Sequence, residues 1–376
     1  MYDAIVVGAR CAGSPTAMLL ARKGYRVLLV DKSTFPSDIM STHYIHLPGV
    51  ARLSRWGLYD KVMATGCPPL KSITLHFGDL VLQPPPPTLP ADLPLNPIAP
   101  RRTALDNILV EGAVEAGAEL RDGFSVQELI FDGDRVTGIR GRSNGDTFEE
   151  SAKIVIGADG MHSRVAKSVN APEYNTRETL SFAYYTYWTN VENTGAHIYM
   201  FEDLQRGMLI FPTNDGKTCI AAGGTIDQFH DFRSDIEGNY LQLVDRIPGL
   251  RAQIDGGERE KFIGTADQPN FFRRPYGDGW ALVGDAGYHR DFFTGLGITE
   301  AFRDAEYLSE AIDAGFAGRE PLHDALAEYE RKRNDIAEPL YEVTLQMASG
   351  ETIDPEAFIR FGAAMARMVP EELPVS

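Results

Sequence analysis

Cysteine is nearly absent from this chain: Cys11, Cys67 and Cys219 are the three present among 376 residues. Three thiols so far apart build neither a disulfide framework nor a zinc cluster, and they suit a reducing cytoplasm. No paired redox cysteine is available for a disulfide reductase, and no run of His, Cys, Asp or Glu has metal-ligand spacing, so no metal is expected. Positive charge is also in deficit. The 36 Lys and Arg against 53 Asp and Glu leave a formal net charge of -17, which argues against nucleic acid and anionic membrane as partners. No stretch approaches the roughly 20 uninterrupted apolar residues of a membrane span. Met1-Tyr2-Asp3 leads straight into Ala4-Ile5-Val6-Val7 without a signal peptide, so a cytoplasmic protein is expected.

What is present is ordinary globular composition, 43% hydrophobic and 24% charged, in a chain long enough for two or more domains. Residues 4–7 form a short β-branched run of the buried parallel type. Residues 14–23 carry helical spacing closed by Gly24, and residues 27–30 form a second buried strand with Asp31 at its end. This βαβ opening predicts an α/β fold with a parallel sheet. Further on, the pattern predicts a helix over 106–116, a hairpin of strands 126–131 and 135–141, and a buried strand at 153–156. Between 180 and 264 aromatic and β-branched residues dominate, predicting an antiparallel sheet with one helix near 236–247. The proline run 84–87 reads as a stiff spacer. Helices are expected at 298–314, 329–347 and 357–368, the last with Phe358, Phe361 and Met365 on one face as a packing or dimer helix. The charge runs 258–261 and 328–333 read as solvated faces. Residues 1–70, 98–172 and 273–320 thus compose one discontinuous nucleotide-type domain. Segments 71–97 and 173–272 form a substrate-binding β-sheet domain inserted into it, and 321–376 a C-terminal helical segment.

The chemistry begins at Gly8-Ala9-Arg10-Cys11-Ala12-Gly13, after a strand and opening a helix. Gly8 makes the tight turn, Gly13 lets helix and strand pack closely, and the N–H groups of the helix start receive a pyrophosphate. Asp31 is placed to accept a ribose hydroxyl, with Lys32 beside it. Arg10 stands where the fingerprint has its middle glycine, so its side chain must turn away from the pyrophosphate or reach around it. Cys11 is read as a small packing residue, although a helix start can lower a thiol pKa.

With these residues the chain resembles the FAD-dependent monooxygenases of the p-hydroxybenzoate hydroxylase type, related to geranylgeranyl reductases and flavin halogenases. Four further segments carry the resemblance, which spans residues 1 to about 315. Arg102-Thr103-Ala104-Leu105-Asp106 is similar to the family's arginine-to-helix segment beside the flavin. Gly157-Ala158-Asp159-Gly160-Met161-His162-Ser163 resembles its Asp-Gly motif between flavin and nicotinamide. Gly284-Asp285-Ala286 resembles the Gly-Asp motif whose aspartate holds the ribityl chain. The segment from Asp291 through Gly295-Leu296-Gly297-Ile298 resembles the loop and helix start that meet the pyrophosphate and the flavin pyrimidine edge. Val126 joins the same implied FAD-binding set. Phe292 stands where the family has proline, and Arg164 precedes Val165 where the family has the reverse order.

The resemblance implies a Rossmann-like FAD-binding domain and NADPH or NADH as reductant. It also implies a flavin hydroperoxide that oxygenates an electron-rich substrate, aromatic or polyketide-like. Reduction of isoprenoid double bonds is the first alternative. Halogenation is the second, with Lys71 near the place of the halogenase lysine but without that family's Trp-x-Trp-x-Ile-Pro signature after Trp188. A flavin carrier without turnover is the non-enzymatic alternative, and a partner flavin reductase is compatible with the motifs. Proton handling falls to His43 and His46, in the segment that passes the flavin, and to Tyr187 on the sheet. Along that strand Tyr185, Tyr187 and Thr189 share one face, and Tyr184, Thr186 and Trp188 the other. His289 and Arg290 stand where they meet nicotinamide, substrate or solvent. The expected assembly is a monomer or homodimer with a small-molecule substrate.

Overall fold

The computed structural model describes residues 1–83, 95–201, 205–351 and 354–369. The proline run 84–87 and the side chain of Phe358 lie outside the described residues.

The β-branched run at the amino terminus becomes the strand Tyr2–Val7, buried on both faces. Ala4 and Val6 point into one apolar cluster, and Tyr2, Ile5 and Val7 into another. Burial on two faces is why the run does not alternate. Each such Ile or Val contributes roughly 1.5–3 kcal/mol of hydrophobic stabilisation. The parallel order is Trp280–Leu282, Asp146–Gly157, Tyr2–Val7, Val27–Val30, Glu119–Arg121. The long strand Asp146–Gly157 serves twice. Its first half pairs antiparallel with the hairpin strand Arg135–Ser143, and its second half pairs parallel with Tyr2–Val7. The helices Gly13–Arg22, Arg102–Glu115 and Gly297–Phe316 lie against one face of this sheet. The helix expected over 106–116 starts four residues earlier, because Arg102 and Asp106 are themselves an i,i+4 ion pair in its first turn.

A second sheet of seven strands holds the aromatic stretch. Its order is Ile263–Thr265, Ser181–Trp188, Thr218–Thr225, Arg206–Pro212, Ala196–Met200, Ile73–Phe77, Leu80–Leu82. Pairing is antiparallel except between Ala196–Met200 and Ile73–Phe77, which are parallel because the latter arrives from the nucleotide-type region. The alternation read from the sequence separates the faces. Phe182, Tyr184 and Trp188 pack outward against three helices, Phe229–Ser234, Ile236–Val244 and Leu250–Asp255, where one helix was expected. Tyr185 and Tyr187 face inward with Tyr44, Phe211 and Cys219.

A third sheet, Glu173–Arg177, Asn270–Arg273 and Tyr288–His289, meets the long helix Leu322–Ser349. Here the reading of 328–333 as a solvated face needs correction. Arg331 is exposed and pairs with Glu328 and Asp335, but Arg333 is fully buried. Arg333 donates to Gly287 O at 3.0 Å, Arg273 O at 3.1 Å and the Tyr174 hydroxyl at 3.1 Å, clamping the helix to the sheet. Beyond it, helix Pro355–Arg367 lays Phe361 and Met365 against Ile336 and Leu340. No helix among the described residues is long and apolar enough to cross a membrane.

A Cβ on Gly13 would stand 1.7 Å from Gly8 O, so the approach of the first helix to the first strand depends on glycine there. Gly13→Ala is expected to lower unfolding free energy by about 3 kcal/mol or more, read by urea denaturation. A loss within about 0.5 kcal/mol would show that helix and strand separate at little cost.

Candidate functional site

The first strand ends in Gly8, whose φ of 106° and whose place 2.4 Å (as a virtual Cβ) from Ala158 O leave no room for a side chain. The turn is braced from below. Asp31, at the end of the second strand, accepts Ala9 N–H on Oδ2 and Ser33 N–H on Oδ1, both at 2.8 Å. Its carboxylate therefore shapes the glycine turn as well as facing the crevice. At the start of helix Gly13–Arg22 Ser14 N–H donates to Arg10 O at 3.0 Å, Thr16 N–H donates to Ala12 O at 3.2 Å and Pro15 carries no N–H, so what the helix start offers an anion is the positive end of its dipole.

Arg10 turns aside, as one of its two expected courses requires. Its guanidinium donates to Asp106 Oδ2 at 2.7 Å and Ser37 Oγ at 2.9 Å. Asp106, fully buried, also takes a bidentate fork from Arg102 at 2.9 and 3.0 Å and the Cys11 thiol at 3.4 Å. Two guanidinium groups on one carboxylate leave a positive excess in the crevice of a protein whose net charge is -17. Burial pushes the Cys11 thiol up, the opposite of activation. Cys11 is thus a packing residue.

One cavity of about 1010 Å³ runs from this crevice to the inner face of the seven-stranded sheet. Gly8, Arg10, Cys11, Ala12, Asp31 and Lys32 line its first part, followed by Arg102, Val126, Asp159 and Gly160. Gly284, Asp285, Gly295, Gly297 and Ile298 line the opposite wall, with Asp285 exposed into it. Gly13 and Leu296 are not on the wall. Gly13 acts through close packing, and Leu296 is buried against Ile336 and Leu340. Asp159 also shapes the wall itself. Its carboxylate accepts Ser163 Oγ at 2.5 Å and Arg164 N–H at 2.7 Å, tying down the helix Arg164–Ser168. The turn, the positive crevice and the exposed Asp285 fit an adenine dinucleotide bearing a flavin.

The residues expected to move protons sit behind the wall. His43 is fully buried, adopts φ 60°, and its Nε2 meets the Tyr187 hydroxyl in a short hydrogen bond. Burial and the nearby Arg102 and Arg101 lower its pKa to about 3, so its ring is neutral. Its Nδ1 has no hydrogen-bond partner among the described residues. The Arg101 guanidinium lies 3.7 Å above the Tyr187 ring and forks onto Glu260 at 3.0 and 3.2 Å, while Lys217 holds the same carboxylate. Glu260 is therefore part of an ion-pair network and not a solvated face. His46 is pinned elsewhere, Nε2 to Thr294 O at 2.9 Å and N–H to Thr299 Oγ1 at 3.1 Å, with burial lowering its pKa to about 4. His43 and Tyr187 brace the segment Met40-Ser41-Thr42, which does line the cavity, whereas His46 ties its own segment to Thr294 and Thr299. Lys71 is exposed and off the cavity wall, and Trp188 points outward to the Tyr240 hydroxyl at 3.0 Å. His289 and Arg290 line the cavity but are engaged, His289 Nδ1 with Pro269 O and Arg290 with Glu300 and Thr344.

Sequence reasoning missed Asp106 as the anchor. Its position four residues after Arg102 gives the intrahelical pair, but nothing local signals the reach to Arg10. Among the described residues no group of three or more His, Cys, Asp or Glu side chains is placed to hold a metal.

A nucleotide crevice closed by a sheet-roofed chamber defines a flavin-dependent oxidoreductase fold. The chain matches the family described as FAD binding domain over residues 1–344, and it belongs to that family. It is 26% identical over 319 residues to digeranylgeranylglycerophospholipid reductase 2 of Methanopyrus kandleri, covering 79% of this chain and 73% of that protein. It is 25% identical over 377 residues to digeranylgeranylglycerophospholipid reductase of Methanosarcina acetivorans, covering 96% and 84%. In fold it is similar to the myxobacterial chondrochloren halogenase, with TM-score 0.82, 22% identity and coverage of 99% and 91%. It is likewise similar to PqsL of Pseudomonas aeruginosa, described as a probable FAD-dependent monooxygenase, with TM-score 0.79, 19% identity and coverage of 97% and 99%.

Asp106→Asn is expected to cost about 3 kcal/mol of stability and to weaken FAD binding at least tenfold, because it leaves two buried guanidinium groups underpaired. Denaturation and flavin fluorescence titration check both. For pH, the folded-state values of His43 and His46 lie below the unfolded value near 6.5, so the unfolded chain binds more protons as pH falls. Stability is therefore full above about pH 7 and declines toward pH 4, by about 2 kcal/mol per histidine at pH 5. His46→Gln is expected to flatten the slope of Tm between about pH 7 and 5, and an unchanged slope would contradict the assignment.

Proposed function

We propose that this protein is an FAD-dependent monooxygenase that inserts oxygen into an electron-rich, apolar small molecule, with NADPH or NADH as reductant or reduced flavin delivered by a separate reductase. The observation that carries the reading is the continuity of the cavity. The dinucleotide wall passes without a break into a chamber lined by Met40, Tyr185, Ile198, Leu209, Phe211 and Ala221. A bound, reduced flavin supplies electrons and activates O₂.

The chain's own residues bind, orient and exclude water. Arg10 and Arg102, held by Asp106, would supply the positive charge for a pyrophosphate in the crevice. The sheet gives the chamber an apolar wall, which would keep water from competing at the reacting centre once a flavin is bound. Tyr185 brings a hydroxyl from the inner face of its strand to the chamber. Burial pushes its pKa up to about 12, so it stays protonated, and its oxygen accepts Ser41 N–H at 3.4 Å. Tyr187 stays protonated and shares a short hydrogen bond with the neutral His43 ring, holding the Met40–Thr42 wall still.

A second reading, reduction of an isoprenoid double bond, is favoured by the similarity to digeranylgeranylglycerophospholipid reductases and by the apolar chamber. Halogenation is disfavoured by the exposed position of Lys71.

The test is anaerobic reduction of FAD-loaded protein by NADPH and NADH, then mixing with ¹⁸O₂ and a panel of neutral aromatic and isoprenoid compounds. One ¹⁸O per product molecule is the expected result. A product gaining two hydrogens and no oxygen would replace the proposal with the reductase reading. Turnover only with added reduced flavin would keep oxygenation and assign reduction to a partner.

A further inference from the structure

The inner face of the seven-stranded sheet is graded in polarity. At one end stand Tyr187, Phe211 and Cys219, tightly packed and apolar. Across the middle the strands carry Ala183, Ala221, Gly223 and Gly207, which leave depth for a ring or chain. At the other end four polar side chains come together from three strands and the following turn. Ser181 and Thr225 are directly paired, Thr265 pairs opposite Ala183, and Gln268 follows Thr265 by three residues. All four line the cavity.

Two of these polar groups are already engaged. Ser181 Oγ donates to Asp291 Oδ2 at 2.6 Å, and Thr265 Oγ1 accepts Asp267 N–H at 3.0 Å. The other two are not. Thr225 is 8% exposed and its hydroxyl has no hydrogen-bond partner among the described residues. The Gln268 side-chain amide makes no hydrogen bond within the described residues; its backbone is engaged, N–H with Thr179 Oγ1 at 3.0 Å and O with Asn270 Nδ2 at 3.2 Å. A hydroxyl buried without a partner carries a desolvation cost that a ligand oxygen would relieve. The charges behind this corner do not welcome an anion. Asp291 sits behind Ser181, Arg290 is neutralised by Glu300, and Arg206, also on the cavity wall, is engaged with Gln228 Oε1.

We propose that Thr225 and Gln268 form the subsite for a single neutral oxygen, hydroxyl or carbonyl, at the end of an otherwise apolar substrate. This subsite then decides which end of the substrate enters first. The inference rests on the chamber being the substrate site of the proposed reaction, and it narrows the substrate class to neutral, singly oxygenated apolar molecules, with carboxylates rejected.

The test is equilibrium binding of three probes of one shape, naphthalene, 2-naphthol and 2-naphthoate, to the FAD-loaded protein, followed by probe fluorescence without turnover. 2-Naphthol is expected to bind ~10-fold more tightly than naphthalene, the strength of one neutral hydrogen bond, and 2-naphthoate more weakly than either. Thr225→Val keeps the shape and removes the hydroxyl; Gln268→Leu removes the amide. Each is expected to cut the 2-naphthol advantage by ~3-fold or more while leaving naphthalene binding unchanged, which also certifies the fold, and Thr225→Ser is expected to restore it. Equal binding of naphthalene and 2-naphthol, preference for 2-naphthoate, or an advantage that survives both variants would overturn the subsite. If no panel compound is oxygenated but the preference maps to Thr225 and Gln268, the reaction falls and the subsite stands. If oxygenation occurs without the preference, the subsite alone falls.

Discussion

Everything at the cofactor end depends on one carboxylate. Asp106 is wholly buried and is shared by Arg10, Arg102 and the Cys11 thiol, three groups from the glycine turn and the helix Arg102–Glu115. A buried ion pair is costly unless each charge is fully hydrogen-bonded, and here the fork from Arg102 and the single bond from Arg10 meet that condition. The arrangement does two things. It fixes the glycine turn against the start of the helix Arg102–Glu115, and it sets two guanidinium groups against one buried carboxylate on the crevice wall, where the exposed Asp285 also acts on Arg102. Placed inside an acidic protein, that local excess is more useful than a generally basic surface, because it attracts anions only within the crevice.

The wall segment Met40–Thr42 is held by a different device. His43 takes a left-handed backbone conformation that a side chain adopts at some cost, and it leaves one ring nitrogen unpaired in the interior. Tyr187 and the Arg101 guanidinium stacked on it oppose that cost from the sheet side. The residues that look most chemical in the sequence thus serve as braces, and the groups that actually border the chamber are Tyr185 and the backbone next to His43.

Much of this was legible beforehand, for local reasons. The strand, glycine turn and helix at residues 2–22 and Asp31 follow from spacing within a few residues, the motifs at Arg102, Asp159 and Asp285 were implied by the family resemblance, and the structure sets Asp31, Arg102, Asp159 and Asp285 along one cavity. The inward and outward faces of Ser181–Trp188 followed from a period of two. The unread parts are the ones fixed by distant partners. Asp106 to Arg10 spans 96 residues, Arg333 to Arg273 spans 60, and Arg101 to Glu260 spans 159. Charge alone suggested solvent for Arg333 and Glu260, because nothing in their own neighbourhoods announces the carbonyls and guanidinium they meet. His46 likewise lies in the right segment, but Thr294 and Thr299, both far along the chain, decide which way its ring points.

The parallel seam between Ile73–Phe77 and Ala196–Met200 joins two segments far apart in the chain, and the intervening residues include much of the nucleotide-type sheet. The substrate-side sheet is therefore not a cassette. Excision of residues 173–272 would take every strand of it except Ile73–Phe77 and Leu80–Leu82, and would bare the backbone edge of Ile73–Phe77, the kind of edge that recruits other chains. Exchange of this chamber for another by recombination would need two separate insertions kept in register with each other. New substrate ranges in such a chain are reached more readily by replacing side chains on an inherited sheet than by trading the sheet itself.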